Sequence, residues 1–396
     1  MLAEMIEQAP RRNPLLAFSP ILALVGIAFL VTGMALPVLP LYVHQVLGYG
    51  AFGVGLIIGA QFGASLISRP LAGRFSDRRG AKLTMLIGLL CAYSTGVCYF
   101  LTFGLQSHNE VAFALLLAGR GLLGVAESFI MISAQSWGIA LAGPRFYGRV
   151  IAWAGMAMYL ALALGAPLGT LLYEKWGFRS LAFATLLLPA AGALIAFPMA
   201  TTKASAKQSP PFAAMFRSVR GPGVGLALAS VGYGTVIAFS ALLFSQKGWP
   251  TWLPLTGFAV FFILARLLFG HMTDTIGGAK IALIFSLIEC VGQFLLGLGM
   301  SLPTALVGCA MSGFGYSLVY PGFGVEAARR APNQSAGYAM GLYTAFLDLT
   351  LGLAGPALGA IGQASGLVTI FILSAITVGS SSIVALRLRP SALTRR

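Results

Sequence analysis

Four ionisable residues, Arg120, Glu127, Glu289 and Asp348, stand inside long apolar runs of the 396-residue chain. A charge in such surroundings is expensive, so each is either compensated or retained for a function. Arg120 and Glu127 are seven positions apart, nearly two helical turns, which puts them on one face of a helix. They read either as a static ion pair or as a pair that proton or substrate binding takes apart. Asp348, in "AFLDLTLG", has no cationic neighbour at helical spacing. It therefore rests neutral or meets an Arg or Lys from another segment. Glu289 reads as a supporting or coupling acid. Glu326 precedes Arg329 and Arg330 by three and four positions and reads as a surface pair.

A different chemistry is suggested by "SRPLAGRFSDRRGAKLT", residues 68–84, which gathers five basic residues around one acid. Its skeleton, Arg69-x3-Gly73-x3-Asp77-x2-Gly80-x-Lys82, returns as Arg266-x3-Gly270-x3-Asp274-x2-Gly277-x2-Lys280, 197 positions later through the aspartates. An acid at this kind of site can bind a helix N-terminus through the helix dipole. Arg78 and Lys82 would hold it with charge-assisted bonds, and Gly73 would admit a close helix. The plainer reading is a basic loop that only sets orientation. Of the three histidines, His44 and His108 fall at the ends of apolar runs and His271 in the second copy of this loop. No metal-ligand spacing, nucleophile–base arrangement or phosphate-cradling loop occurs, so neither an enzyme nor a metal protein is expected.

Positioning these groups requires elements that lipid can solvate. The chain is 58% hydrophobic and 9% charged, with a mean hydropathy of +0.88. A soluble protein carries roughly 25% charged residues, so most of this surface belongs in a bilayer. The four cysteines, Cys91, Cys98, Cys290 and Cys309, lie in apolar runs and read as free thiols. The run from Leu15 to Val43 is too long for a cleaved leader core. Stretches of about 20 apolar residues fall near 18–43, 52–73, 83–104, 111–134, 147–172 and 179–199. A second set falls near 223–246, 251–272, 280–300, 303–326, 335–361 and 366–387. Residues 1–200 thus form one six-span half, 201–222 a linker, and 223–396 the other half.

The net charge of +15 would suggest nucleic acid in a soluble chain. Here nineteen of the 25 Lys and Arg fall on the side of the termini. Three (Lys175, Arg179 and Lys247) fall opposite, and Arg69, Arg120 and Arg266 fall within or at the ends of spans. This bias predicts both termini cytoplasmic and no nucleic-acid role. The halves repeat elsewhere too: Gly148 precedes Pro167 by nineteen positions, as Gly337 precedes Pro356. Gly55, Gly59 and Gly63 give one helix a stripe for close packing.

These motifs resemble the major facilitator superfamily over essentially the whole chain. Its G-x-x-x-D-[RK]-x-G-[RK]-[RK] signature is matched by Gly73, Asp77, Arg78, Gly80 and Lys82, with Ala81 in place of one basic residue. Its R-x-x-x-G motif is matched by Arg120 and Gly124, and its antiporter motif in part by Gly355, Pro356 and Gly359. The texture is similar to bacterial arabinose-efflux-like and multidrug exporters. The resemblance implies an all-α integral membrane fold of twelve transmembrane helices in two pseudo-symmetric six-helix bundles. It further implies a monomeric, proton-driven carrier working by alternating access in the bacterial inner membrane, with no cofactor. Asp77 would latch onto the start of span eleven in the other half. Export of a small organic compound is expected; proton-coupled uptake of a sugar-like or carboxylated metabolite is the alternative. Gln61, Gln135, Trp137, Trp153, Tyr159, Tyr233, Tyr316, Tyr320 and Tyr343 would line an amphiphilic cavity with few fixed charges, and Arg120 leaves room for an anionic group on the cargo.

Overall fold

A computed structural model describes residues 14–103, 105, 108–142, 147–201, 212–330 and 336–388. Arg11, Arg12, Arg145, Lys203, Lys207, Arg389, Arg395 and Arg396, and the linker up to residue 211, lie outside the described residues, as do the side chains of Arg149 and Asp274. The described residues form twelve long helices and no strand. The first half comprises α1 (Pro14–Leu41), α2 (Ala51–Arg79), α3 (Ala81–Leu101), α4 (Asn109–Ala142), α5 (Tyr147–Trp176) and α6 (Phe178–Ala196). The second comprises α7 (Phe212–Gln246), α8 (Leu253–Phe269), α9 (Gly278–Leu298), α10 (Leu302–Arg329), α11 (Ala336–Ser365) and α12 (Leu367–Leu388). Eleven are long and apolar enough to cross a membrane; α8, at 17 residues, is the shorter one. Lipid leaves no water for stray backbone groups, which is why the chain answers with uninterrupted helices.

The outward faces are apolar, with Leu187, Leu194, Leu353 and Ile376 exposed, as a lipid-facing surface requires. Between helices the chain uses small residues in place of large ones. A Cβ on Gly124 of α4 would overlap the Gln61 carbonyl of α2, and one on Gly313 of α10 would overlap the Phe258 carbonyl of α8. The two sites are equivalent in the two halves, so the sequence repeat is also a repeat of helix contacts. Such contacts draw the helices to backbone distance, where dispersion and weak polar contacts replace the missing hydrophobic drive.

The region 68–84 is not a loop. α2 runs unbroken through Asp77 to Arg79, and the turn falls at Gly80, whose φ of +88° suits glycine alone. In the second copy the helix stops at Phe269 and resumes as one turn, Met272–Thr275, before Gly277 at φ +96°. The linker is also shorter than expected, since α7 is helical from Phe212.

Contacts between the halves concentrate on the side away from the termini. There the helical turn Tyr42–Val46 that follows α1 meets α7, Gln45 donating to Ser245 at 3.0 Å. Thr256 of α8 donates to the Ala163 carbonyl of α5 at 3.3 Å. Gly55 and Gly59 of α2 press on Gly352, Gly355 and Pro356 of α11, leaving no room for side chains. Gly63 of α2 still lies against Gly352 of α11, and toward the termini the two helices part: a Cβ on Gly73 or Gly341 would meet nothing within 4 Å.

Candidate functional site

Where α2 and α11 begin to part, Arg69 reaches across to Asp348. Its Nη2 donates to Oδ1 at 2.9 Å, and its Nε pairs with Oδ2. The Asp348 side chain is 2% exposed and that of Arg69 31%. The acid whose partner the sequence left open thus takes it from the other half. In this conformation Arg69, which its spacing placed in the latch, is engaged with Asp348. A two-pronged guanidinium–carboxylate contact fixes geometry as well as charge.

The expected Arg120–Glu127 ion pair is absent. Seven residues of helix rise about 10.5 Å, and the two side chains leave α4 toward different neighbours. Thr32 of α1 donates to Glu127 Oε1 at 2.6 Å. Arg120 is fully buried, and none of its three guanidinium nitrogens has a hydrogen-bond partner. The Tyr99 hydroxyl of α3 lies beside it. Glu289 is equally buried, both oxygens unpartnered, against Gly232 of α7. Beside it Gln293 donates to the Gly232 carbonyl and Ser312 Oγ, both at 3.1 Å, and accepts from Ser374 at 3.1 Å. That cluster sits inside the second half, away from the seam between the halves.

The latch residues are not engaged with one another in this conformation. Asp77 and Arg78 are exposed, and no described residue bonds to Asp77. The five residues preceding α11, 331–335, lie outside the described residues. Lys82, instead of holding Asp77, donates to the Phe197 carbonyl at the end of α6 at 2.5 Å, tying α3 to α6 within one half. Gly73 and Gly270 do not seat a helix from the other half; the close approach falls at Gly55 and Gly59. A helix N-terminus is held by an acid elsewhere: Glu326 accepts from Ala279 N–H at the start of α9 at 3.3 Å. Glu326 also takes Arg330 Nη1 at 2.5 Å and, at 6% exposure, is buried. The expected surface pair is therefore a buried cap.

The aromatic candidates divide. Tyr159 of α5 stacks on Phe262 of α8 across the seam, with centroids 3.6 Å apart. Tyr233 of α7 stacks on Tyr316 of α10 at 5.1 Å and on Phe258 of α8 at 5.4 Å. Only about 10 Å³ stays empty beside Tyr159, Tyr233 and Phe258, so these rings pack closely where the halves meet. Gln61 is buried near Glu127, its Oε1 unpartnered. Tyr320 is half-buried, near both Arg69 and Arg266. Tyr343 is fully buried and donates to the Tyr320 carbonyl at 2.7 Å; Trp137 is 1% exposed within the core. Trp153 packs near Phe18 and lines an outer apolar groove of about 770 Å³ between α1 and α5. Tyr343, Trp137 and Trp153 are therefore scaffold in this conformation. Gln135 is half-buried. Thr32, Phe262 and Ser317 were not singled out from the sequence; their repeat counterparts Ser230, Ser65 and Ser128 are small polar residues that carry no signal of their own.

The family model described as Major Facilitator Superfamily matches residues 21–255 and 245–396. An MFS-type transporter of Escherichia coli K12, YhhS, is 38% identical over 364 residues, covering 91% of this chain and 90% of that protein. An MFS-type transporter of Burkholderia mallei is 36% identical over 387 residues, covering 96% and 95%. The crystal structure of a D-xylose–proton symporter superposes with a TM-score of 0.74 at 14% identity, covering 95% of this chain and 98% of that one, a likeness of fold. The chain belongs to the major facilitator superfamily and is a multi-pass membrane transporter of small molecules, not an enzyme.

Proposed function

We propose that the protein exports a small organic compound in exchange for protons, by alternating access, as a monomer in the bacterial cytoplasmic membrane with both termini cytoplasmic. The excess of Lys and Arg on the termini side supports that orientation, and it makes the described conformation inward-facing. The proton gradient is the energy source and no cofactor is needed.

The observation that carries the reading is the buried Arg69–Asp348 pair between the halves. The carboxylate holds either Arg69 or a proton, and only the first ties α2 to α11. When Arg69 displaces the proton toward the cytoplasm, the inward-facing carrier is left empty and held. Cargo binding then competes for the groups around the pair, and protonation from outside resets the cycle. Glu127, bonded to Thr32 within the first half, is the second acid available to the pathway. The partial antiporter motif, Gly355, Pro356 and Gly359, is where α11 presses on α2 on the far side, so motif and coupling pair act on one seam.

The test is transport of labelled organic compounds into inverted and right-side-out vesicles under an imposed pH gradient. Gradient-driven accumulation in inverted vesicles, lost in Asp348→Asn while cargo counterflow persists, is expected. Accumulation that survives Asp348→Asn overturns the coupling role, and accumulation confined to right-side-out vesicles overturns export.

A further inference from the structure

The two halves are related helix by helix, each equivalent pair of helices having its own constant sequence offset. Pro167 of α5 and Pro356 of α11 are 189 positions apart, and so are Tyr159 and Asp348. In the same way Gly124 of α4 and Gly313 of α10 are 189 apart, and so are Glu127 and Tyr316. Arg69 and Arg266 share the 197-residue offset of the two loop copies. The packing confirms the correspondence: Gly124 and Gly313 press on the backbones of Gln61 and Phe258, themselves 197 apart. The hydrogen bonds follow it too, since Thr32 bonds Glu127 and Ser230 bonds Tyr316 at 3.2 Å.

The two seams between the halves are therefore equivalent by construction and unequal in charge. On the α2–α11 seam, Arg69 meets Asp348. On the α5–α8 seam, Arg266 has Tyr159 as a neighbour, the tyrosine that stands at the position equivalent to the acid. Among the described residues no carboxylate reaches Arg266. Its Nη2 donates to the Ser317 carbonyl of α10 at 2.8 Å, and its Nε is buried without a partner. The guanidinium stands 5.2 Å from the centre of the Phe262 ring, on which Tyr159 is stacked. Tyr159, Tyr316 and Tyr320 are its remaining ionisable neighbours, and none of them is an acid. By its equivalence with Arg69, Arg266 lies at the same depth, one helical turn from Phe262 toward the termini side.

We propose that Arg266, with the Tyr159–Phe262–Tyr316 wall, binds an aromatic organic anion, whose carboxylate sits on Arg266 as Asp348 sits on Arg69. A planar guanidinium with a free Nε offers the fork that a carboxylate fills with two bonds, and the rings supply the apolar surface for the rest of the molecule. One seam then carries an internal anion that a proton can neutralise, and the other accepts its anion from the cargo. Release of cargo and release of the proton thereby act on matching seams of one carrier. The inference rests on the proposed function, whose cargo class it names.

The test is ligand-dependent thermal stabilisation of the purified full-length protein in detergent, with no pH gradient present. The probes are benzoate, salicylate and 1-naphthoate, each beside its neutral amide. The carboxylates are expected to raise the unfolding temperature, and the amides to do so at least tenfold more weakly in concentration. Arg266→Gln removes the difference, and Arg266→Lys keeps part of it. Tyr159→Asp supplies an internal partner, raises the ligand-free unfolding temperature, and abolishes the carboxylate response. If Arg266→Gln does not fold, Tyr159→Asp still decides. No response to any carboxylate, an equal response to the amides, or a response that survives Tyr159→Asp overturns the proposal. Because binding is read without a gradient, such failure leaves proton coupling untouched, and loss of coupling in vesicles leaves this binding result standing.

Discussion

Removing Arg69 and removing Asp348 are not equivalent perturbations, although they break the same contact. Asp348 is 2% exposed, so Arg69→Gln strands an acid where water cannot solvate it. Removing one partner of a buried pair costs about 3–5 kcal/mol, most of it the isolation of the remaining charge. Arg69 is 31% exposed, so Asp348→Asn leaves a cation that can turn toward the open side, and water discounts the cost to about 1 kcal/mol. The double variant leaves no charge stranded and loses little beyond the pair itself, again about 1 kcal/mol. Thermal unfolding of the detergent-purified protein, compared across the four members of the cycle, reads these differences. The order expected is wild type, then Asp348→Asn and the double variant together, then Arg69→Gln well below. Equal losses in the two single variants, or a double variant worse than Arg69→Gln, refute the reasoning.

Other outcomes follow from equally local geometry. Gly55→Val places a side chain on the Gly355 carbonyl; it should insert but lose transport, whereas Gly73→Ala, with open space around it, should stay within about 0.5 kcal/mol of wild type. Thr32→Val deprives buried Glu127 of its donor and should lower stability by about 1–2 kcal/mol in thermal unfolding, a loss that Thr32→Ser avoids. Glu326→Ala uncaps α9 and frees Arg330, for a similar loss of about 1–2 kcal/mol, with transport per folded molecule retained. Asp77→Asn should slow transport in vesicles without changing the amount inserted; full transport would leave the acid with no part in the switch.

The sequence determined the fold class, the helix count, the twofold repeat and the charge asymmetry. Each of these is written in composition and spacing, because a bilayer accepts only about 20 apolar residues of satisfied backbone at a time. It also marked Arg120, Glu127, Glu289 and Asp348 as residues needing an explanation, since lipid makes a stray charge conspicuous. Pairing was not legible. Arg69 and Asp348 are 279 positions apart, and no local spacing says that α2 lies on α11 at that depth. Arg120 and Glu127 share a helix face and yet answer to different helices, because a face is wider than one neighbour. The 68–84 segment looked like a loop because it is charged, but charge at the end of a long helix needs only water, not a break. Tertiary structure alone decided which seam holds an ion pair and which leaves Arg266 with rings around it. That choice depends on which helices of opposite halves touch, a property of the packed whole that neither half's sequence contains.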